Sequence, residues 1–150
     1  MKKWNFFKEL DHTADLCVDI YGNHKPDLFK NAIFTLYILL NLEKALDKDD
    51  SPSTDALTVY GLDLEDALVR LLGELLYRST EDKTVLLPKE VFLERTLLEE
   101  KGWQVKVTGS WRHIENEENR NKREIKAVTY HDICIRLTPD GYAARVVMDL

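Results

Sequence analysis

The sequence predicts an α+β fold: two helices from the N-terminal half packed on mainly antiparallel β-sheet, with an internal strand-turn-helix duplication as an accompanying reading. Three observations carry this expectation. Apolar residues recur at helical spacing only in the first half of the chain, and alternating runs punctuated by turn residues fill the second half. In addition, a pattern of strand, glycine and helix occurs twice. Segregation of helices from strands along a chain is the mark of α+β architecture.

Residues 4–10 read as a first strand. Residues 15–21 read as a second, with Leu16, Val18 and Ile20 on one face and Asp15, Cys17, Asp19 and Tyr21 on the other. Residues 11–14 form the turn between them. Pro26-Asp27 opens a helix with Asp27 as its expected N-cap. Leu28, Ala32, Ile33, Leu36, Tyr37 and Leu40 recur along it at helical spacing. Phe29, Phe34, Ile38 and Leu39 widen the stripe, so this helix should be covered on more than one side. A charged loop over 43–53 follows, whose Asp47, Asp49 and Asp50 invite a calcium-loop reading. That reading fails, because Pro52 stands where the loop needs glycine and Thr58 where it needs a bidentate acid.

Residues 56–60 form a strand, and Asp63 caps a second helix that carries Leu64, Leu68, Leu71, Leu72 and Leu75 on one face. The two helical regions are alike. Ile20-Tyr21-Gly22, Asp27-Leu28 and Ala32-Ile33 parallel Val59-Tyr60-Gly61, Asp63-Leu64 and Ala67-Leu68. A duplication explains the likeness, and so does the common use of Gly after strands and Asp before helices. The remainder is strand-rich: 85–87, then 90–98 and 103–111 about a turn at 99–102. Trp103, Val105, Val107 and Trp111 alternate with Gln104, Lys106, Thr108 and Ser110, as in a half-buried antiparallel strand. Residues 116–122 read as a polar loop and 125–137 as a long strand. Pro139-Asp140-Gly141 is a hairpin turn, and 143–148 is the last strand.

Length and composition limit the functional classes. A chain of 150 residues reads as one domain over 1–150, able to bury roughly 70% of its unfolded surface. Its formal charge of −6 argues against a broad grip on nucleic acid and for a cation or a basic partner. The basic cluster Arg120, Lys122, Arg123 and Lys126 is interrupted by Glu115, Glu117, Glu118 and Glu124 and lacks a neighbouring aromatic platform. It reads as a solvated loop or a rim contact with a partner, and direct sequence-specific nucleic-acid binding is not expected. Cys17 and Cys134 sit in apolar strand-like runs and read as buried spectators. The N-terminus lacks the apolar stretch of a signal peptide, and the longest apolar run, 32–42, is too short to span a bilayer. The expectation is a cytoplasmic protein without a membrane segment.

Chemistry concentrates at the two ends. Asp11-His12-Thr13-Ala14-Asp15 lies near the N-terminus; Ala127-Val128-Thr129-Tyr130-His131-Asp132 and Val146-Val147-Met148-Asp149-Leu150 lie near the C-terminus. Carboxylates at turns and strand ends can converge without being buried singly. Oxygen donors without a cysteine cluster suit Ca²⁺ or Mg²⁺ rather than structural zinc. If the strand at 15–21 lies beside the last strand, Asp15, Asp149 and an oxygen of Leu150 could share one ion. Equally, Asp149 could be a fraying terminal acid and Asp15 a turn cap. His12 and His131 have no nucleophile at recognisable spacing, and no Gly-x-Ser-x-Gly is present, so no catalytic residues are assigned.

Those three runs, in that order in a chain this short, resemble the signature of the archease family, and the resemblance spans nearly the whole chain. One departure is Leu16-Cys17, where the family commonly has glycine or another small residue after the apolar one. The resemblance implies a non-enzymatic accessory protein that assists an RtcB-type RNA ligase, promoting its guanylylation and multiple turnover in tRNA splicing and RNA repair. It implies a divalent metal held by Asp15 and Asp149 with Leu150 adding an oxygen, Ca²⁺ foremost and Mg²⁺ or Mn²⁺ as substitutes. Asp11, His12 and Asp132 would shape the surrounding loops. The competing expectation is a chaperone-like interaction module, which needs an exposed apolar patch. A metal-dependent hydrolase ranks third, because an acidic site without nucleophile or base is incomplete.

Overall fold

A computed structural model describes residues 5–10, 14–47, 55–96 and 102–150. In chain order the elements are β1 (Phe7–Leu10), β2 (Leu16–Gly22), α1 (Lys25–Leu39), β3 (Asp55–Gly61), α2 (Leu64–Tyr77), β4 (Thr84–Thr96), β5 (Gly102–His113), α3 (Asn116–Arg120), β6 (Ala127–Thr138) and β7 (Gly141–Asp149). The strands form two sheets, one ordered β1-β2-β7-β6 and the other β3-β5-β4. Every pairing among the described strands is antiparallel, in line with the predicted α+β class.

The helices are shared between the sheets: α1 packs on β2 and β4, and α2 packs on β3 and β6. The core therefore draws Leu16, Val18 and Ile20 from β2, Ala144, Val146 and Met148 from β7, and Val105 and Val107 from β5, around the apolar faces of both helices. Being covered from two sides, α1 buries Leu28, Phe29, Ala32, Ile33, Leu36 and Tyr37 completely. The Tyr37 hydroxyl accepts a 2.9 Å hydrogen bond from the Leu86 N–H, and burial raises its pKa, so it stays neutral. No helix among the described residues is long and apolar enough to cross a membrane.

The two strand-turn-helix units share the same glycine contacts and cap spacing. A Cβ on Gly22 would lie 2.4 Å from the Leu28 nitrogen, and one on Gly61 would lie 2.3 Å from the Ala67 nitrogen. In each unit the glycine lets the strand end pass against the helix six residues on. The equivalences are therefore Gly22 with Gly61, His24 with Asp63 as N-caps, and Asp27 with Asp66 at the third helical position. This corrects the expected pairing of Asp27 with Asp63. Asp27 is not the N-cap; its carboxylate accepts from the His24 N–H at 3.2 Å, as the reciprocal half of a capping box. The likeness extends to the hairpins, since a Cβ on Gly102 would meet the Gly61 carbonyl and one on Gly141 the Gly22 carbonyl, each at 2.4 Å.

Other expectations change in detail. Residues 85–87 and 90–96 belong to one strand, β4, bent by a register shift between Pro88 and Glu90, while 97 and 98 lie outside the described residues. The polar loop at 116–122 contains α3, whose Glu115 N–H donates to the Glu118 carboxylate at 2.9 Å in a second capping box. Cys17 is buried as expected, whereas Cys134 is exposed, because β6 is an edge strand and Cys134 lies on its outward face. Both thiols are free.

Candidate metal centre

β2 and β7 are neighbours, and their register sets Leu16 opposite Met148, Cys17 opposite Val147 and Asp19 opposite Arg145. The ladder ends there, with Asp15 preceding Leu16 and Asp149 following Met148, so the two acids lie at the same end of the β2–β7 pair. By alternation both aspartates share the face of Cys17, Asp19 and Arg145, on the far side of the sheet from the core residues Leu16 and Met148. Asp15 is half-buried, and Asp149 and Leu150 are exposed. The Asp149 carbonyl is tied down by the Lys126 N–H at 2.8 Å, and Ala127 pairs with Asp149 across the β6–β7 ladder. The end of β7 is thus held on both sides.

The donor set fits a hard ion: two acids and an oxygen of Leu150, with no cysteine among them. No group of three His, Cys, Asp or Glu side chains able to hold a metal occurs among the described residues. Asp11, His12 and Thr13 lie outside the described residues. Asp132 adopts φ of 54° in the irregular stretch of β6 between Thr129 and Cys134, where an acid tolerates the left-handed conformation better than a branched residue would. His131 Nε2 lies 3.4 Å from the Asp132 carboxylate, and both side chains are exposed. Burial raises the Cys17 pKa; Arg145 opposes that rise, while the Asp19 and Asp132 carboxylates add to it.

The archease protein family model (MTH1598/TM1083) matches residues 7–150. The chain belongs to the archease family. It is 32% identical to Protein archease from Pyrococcus abyssi over 100% of both chains. It is also 32% identical to Protein archease from Methanosarcina acetivorans, over 96% of this chain and 95% of the other. The solution structure of Methanobacterium thermoautotrophicum protein 1598 shares the fold, with a TM-score of 0.67 at 23% identity, covering 97% of this chain and 99% of that one.

In this archease-family chain, one group on the same face escaped the sequence reading. Asp19, only 5% exposed, accepts hydrogen bonds from Arg145 Nε at 2.9 Å and Nη2 at 3.0 Å, with Arg136 Nη2 at 3.5 Å. The Arg145 guanidinium holds the Asp19 carboxyl below the usual range against the opposing effect of burial, and Arg136 adds to the lowering. A signal was present: Asp19 sits within Leu16–Tyr21 and Arg145 within Ala143–Met148, single opposite charges inside apolar runs. Such charges persist inside a sheet when they are partners.

Proposed function

We propose that this chain is a metal-dependent accessory protein that activates an RtcB-type RNA ligase, promoting its guanylylation and turnover. The observation that supports the reading is the β2–β7 register, which pairs Leu16 with Met148, the immediate chain neighbours of Asp15 and Asp149. Family membership supports it, since the resemblance implies this role and these two acids. In this reading Asp15 and Asp149 hold a divalent ion, Ca²⁺ foremost, with an oxygen of Leu150. The bound ion supplies a localised positive charge that can organise phosphate or carboxylate oxygens. The Asp19–Arg145 pair keeps β2 and β7 in register beneath it, so both carboxylates stay positioned. The chain's net charge of −6 suits docking on a basic partner surface.

The test is multiple-turnover ligation of RNA ends by the cognate ligase, with the parent chain, Asp15→Ala or Asp149→Ala, and melting temperatures taken on the same preparations. The expected result is acceleration by the parent and loss of acceleration by both variants. For Asp149→Ala the loss should come with a stability change within about 0.5 kcal/mol, as for other exposed positions. Full acceleration by a normally melting Asp149→Ala chain would instead favour a chaperone-like role, which depends on apolar surface. Among the described residues the exposed large apolar ones, Tyr60, Leu62, Tyr77, Phe92, Tyr130, Leu137 and Leu150, are distributed over β3, the turn before α2, α2, β4, β6 and the residue after β7.

A further inference from the structure

A cleft of about 600 Å³ lies between the C-terminal end of α2 and the chain from Asn119 to Val128. That volume is in the range of small-ligand sites. It opens on the helix side of the first sheet, because Val128 pairs with the core residue Met148, and it adjoins the end of β7, since Lys126 and Ala127 line it and also pair with Asp149. The helix does not end simply here. It runs on as a π-helical turn, Arg78–Asp82, and stops at Lys83 with φ of 55°. π-turns and left-handed non-glycine residues are uncommon and gather at functional sites.

That unusual turn brings two cations onto one residue. The Lys122 ammonium donates to Thr80 Oγ1 at 2.9 Å, and the Lys83 ammonium donates to the Thr80 carbonyl. Neither ammonium is hydrogen-bonded to a carboxylate among the described residues. Arg123, which also pairs with Glu9 at 3.8 Å, and Lys126 line the same cleft, against the exposed acids Glu81 and Glu124. Burial, and then the charge of Lys83, lower the Lys122 pKa. Like charges held together in this way are relieved by an anion.

The other half of the cleft is apolar. Tyr77 is 59% exposed and presents its ring at the wall. Gly73 lines the wall from inside α2, and a Cβ there would meet nothing within 4 Å. A helix-interior glycine costs about 1 kcal/mol relative to alanine, with no local close approach to require it. What the missing side chain leaves is room beside the Tyr77 ring.

We propose that this cleft binds a nucleoside phosphate, with phosphate oxygens on Lys122 in the combined field of Lys83, Arg123 and Lys126, and the base laid against Tyr77 over Gly73. The basic half alone would suit any anion and the apolar half any small ring, but their adjacency in one cleft selects a ligand that carries both. The proposal goes beyond the metal-dependent reading and does not rest on it.

Calorimetric titration of the full chain with ATP, in the presence of a chelator, tests the site without involving the aspartate pair. ATP should bind with Kd below about 1 mM, and adenosine and tripolyphosphate should each bind at least about tenfold more weakly. Lys122→Gln should weaken ATP about tenfold. Gly73→Leu, which fills open space, should abolish binding while the melting temperature holds or rises. Absence of ATP binding, equal binding of tripolyphosphate, or unchanged affinity in both variants would each overturn the proposal.

Discussion

Asp19 shows how a single buried charge can set a face of the sheet. Its carboxylate is almost fully enclosed, whereas the Arg145 and Arg136 side chains are 41% and 42% exposed. Removing a partner is therefore asymmetric. Arg145→Ala strands a buried carboxylate and should cost on the order of 2–3 kcal/mol, at the low end for a broken buried pair because the arginines are partly solvated. Asp19→Asn leaves arginines that can turn to water and should cost less; chemical denaturation of the two variants compares them directly. The pH dependence follows from the same pair. Because the folded carboxyl titrates below its unfolded value, its contribution is present above the unfolded pKa of about 3.9 and is lost as pH falls through the folded one. Between about pH 5 and pH 2 the parent should lose more stability than Asp19→Asn, and equal acid sensitivity would show that the pair is not the cause. At Asp15 the measurement is thermal: Ca²⁺ should raise the parent's melting temperature by mass action, and Asp15→Ala should abolish the increment while keeping the metal-free melt.

Among elements, the junction of α1 with the second sheet depends on one hydroxyl. Tyr37→Phe removes the acceptor for the buried Leu86 N–H, which should cost about 1–3 kcal/mol and lower the melting temperature by about 2–4 °C per kcal/mol. Glycine gives a sharper contrast. Gly61→Ala forces a Cβ to 2.3 Å from the backbone of α2 and should destabilise strongly, whereas Gly73→Ala should be neutral or stabilise by up to about 1 kcal/mol. Much of this layer was legible in the sequence. The alternation of Leu16, Val18 and Ile20 gave the core face of β2, and the wide apolar stripe on α1 foretold a helix covered from two sides. What escaped depends on contacts distant in sequence. Periodicity cannot reveal that Arg145 faces Asp19, that Cys134 falls on an edge strand, or that Tyr77 and Thr80 of one segment meet Lys122 of another. The capping offset escaped for a local reason: His24 and Asp27 share the cap, and sequence alone favours the acid as N-cap.

At the scale of the molecule, the two similar units are interleaved rather than placed side by side. β2 and α1 join the late hairpin β6–β7, while β3 and α2 join β4–β5. Each helix also leans on the other unit's hairpin, α1 on β4 and α2 on β6. Neither unit can bury its helix alone, so calorimetry should record one cooperative transition with matching calorimetric and van't Hoff enthalpies. Two resolved transitions would mean that the sheets melt independently.

The same interleaving governs how the protein can be made. Strands β3, β4 and β5 are contiguous in synthesis apart from α2, so the second sheet can pair while the rest of the chain is still being translated. The first sheet cannot. β2 can pair with β1 as soon as both emerge, but its other neighbour, β7, follows every other described strand in the sequence. Until β7 arrives one edge of β2 stays open, and an open strand edge is a hazard for aggregation. A metal site shared by Asp15 and Asp149, as proposed above, would therefore form only once β7 docks, a late event in the life of each molecule.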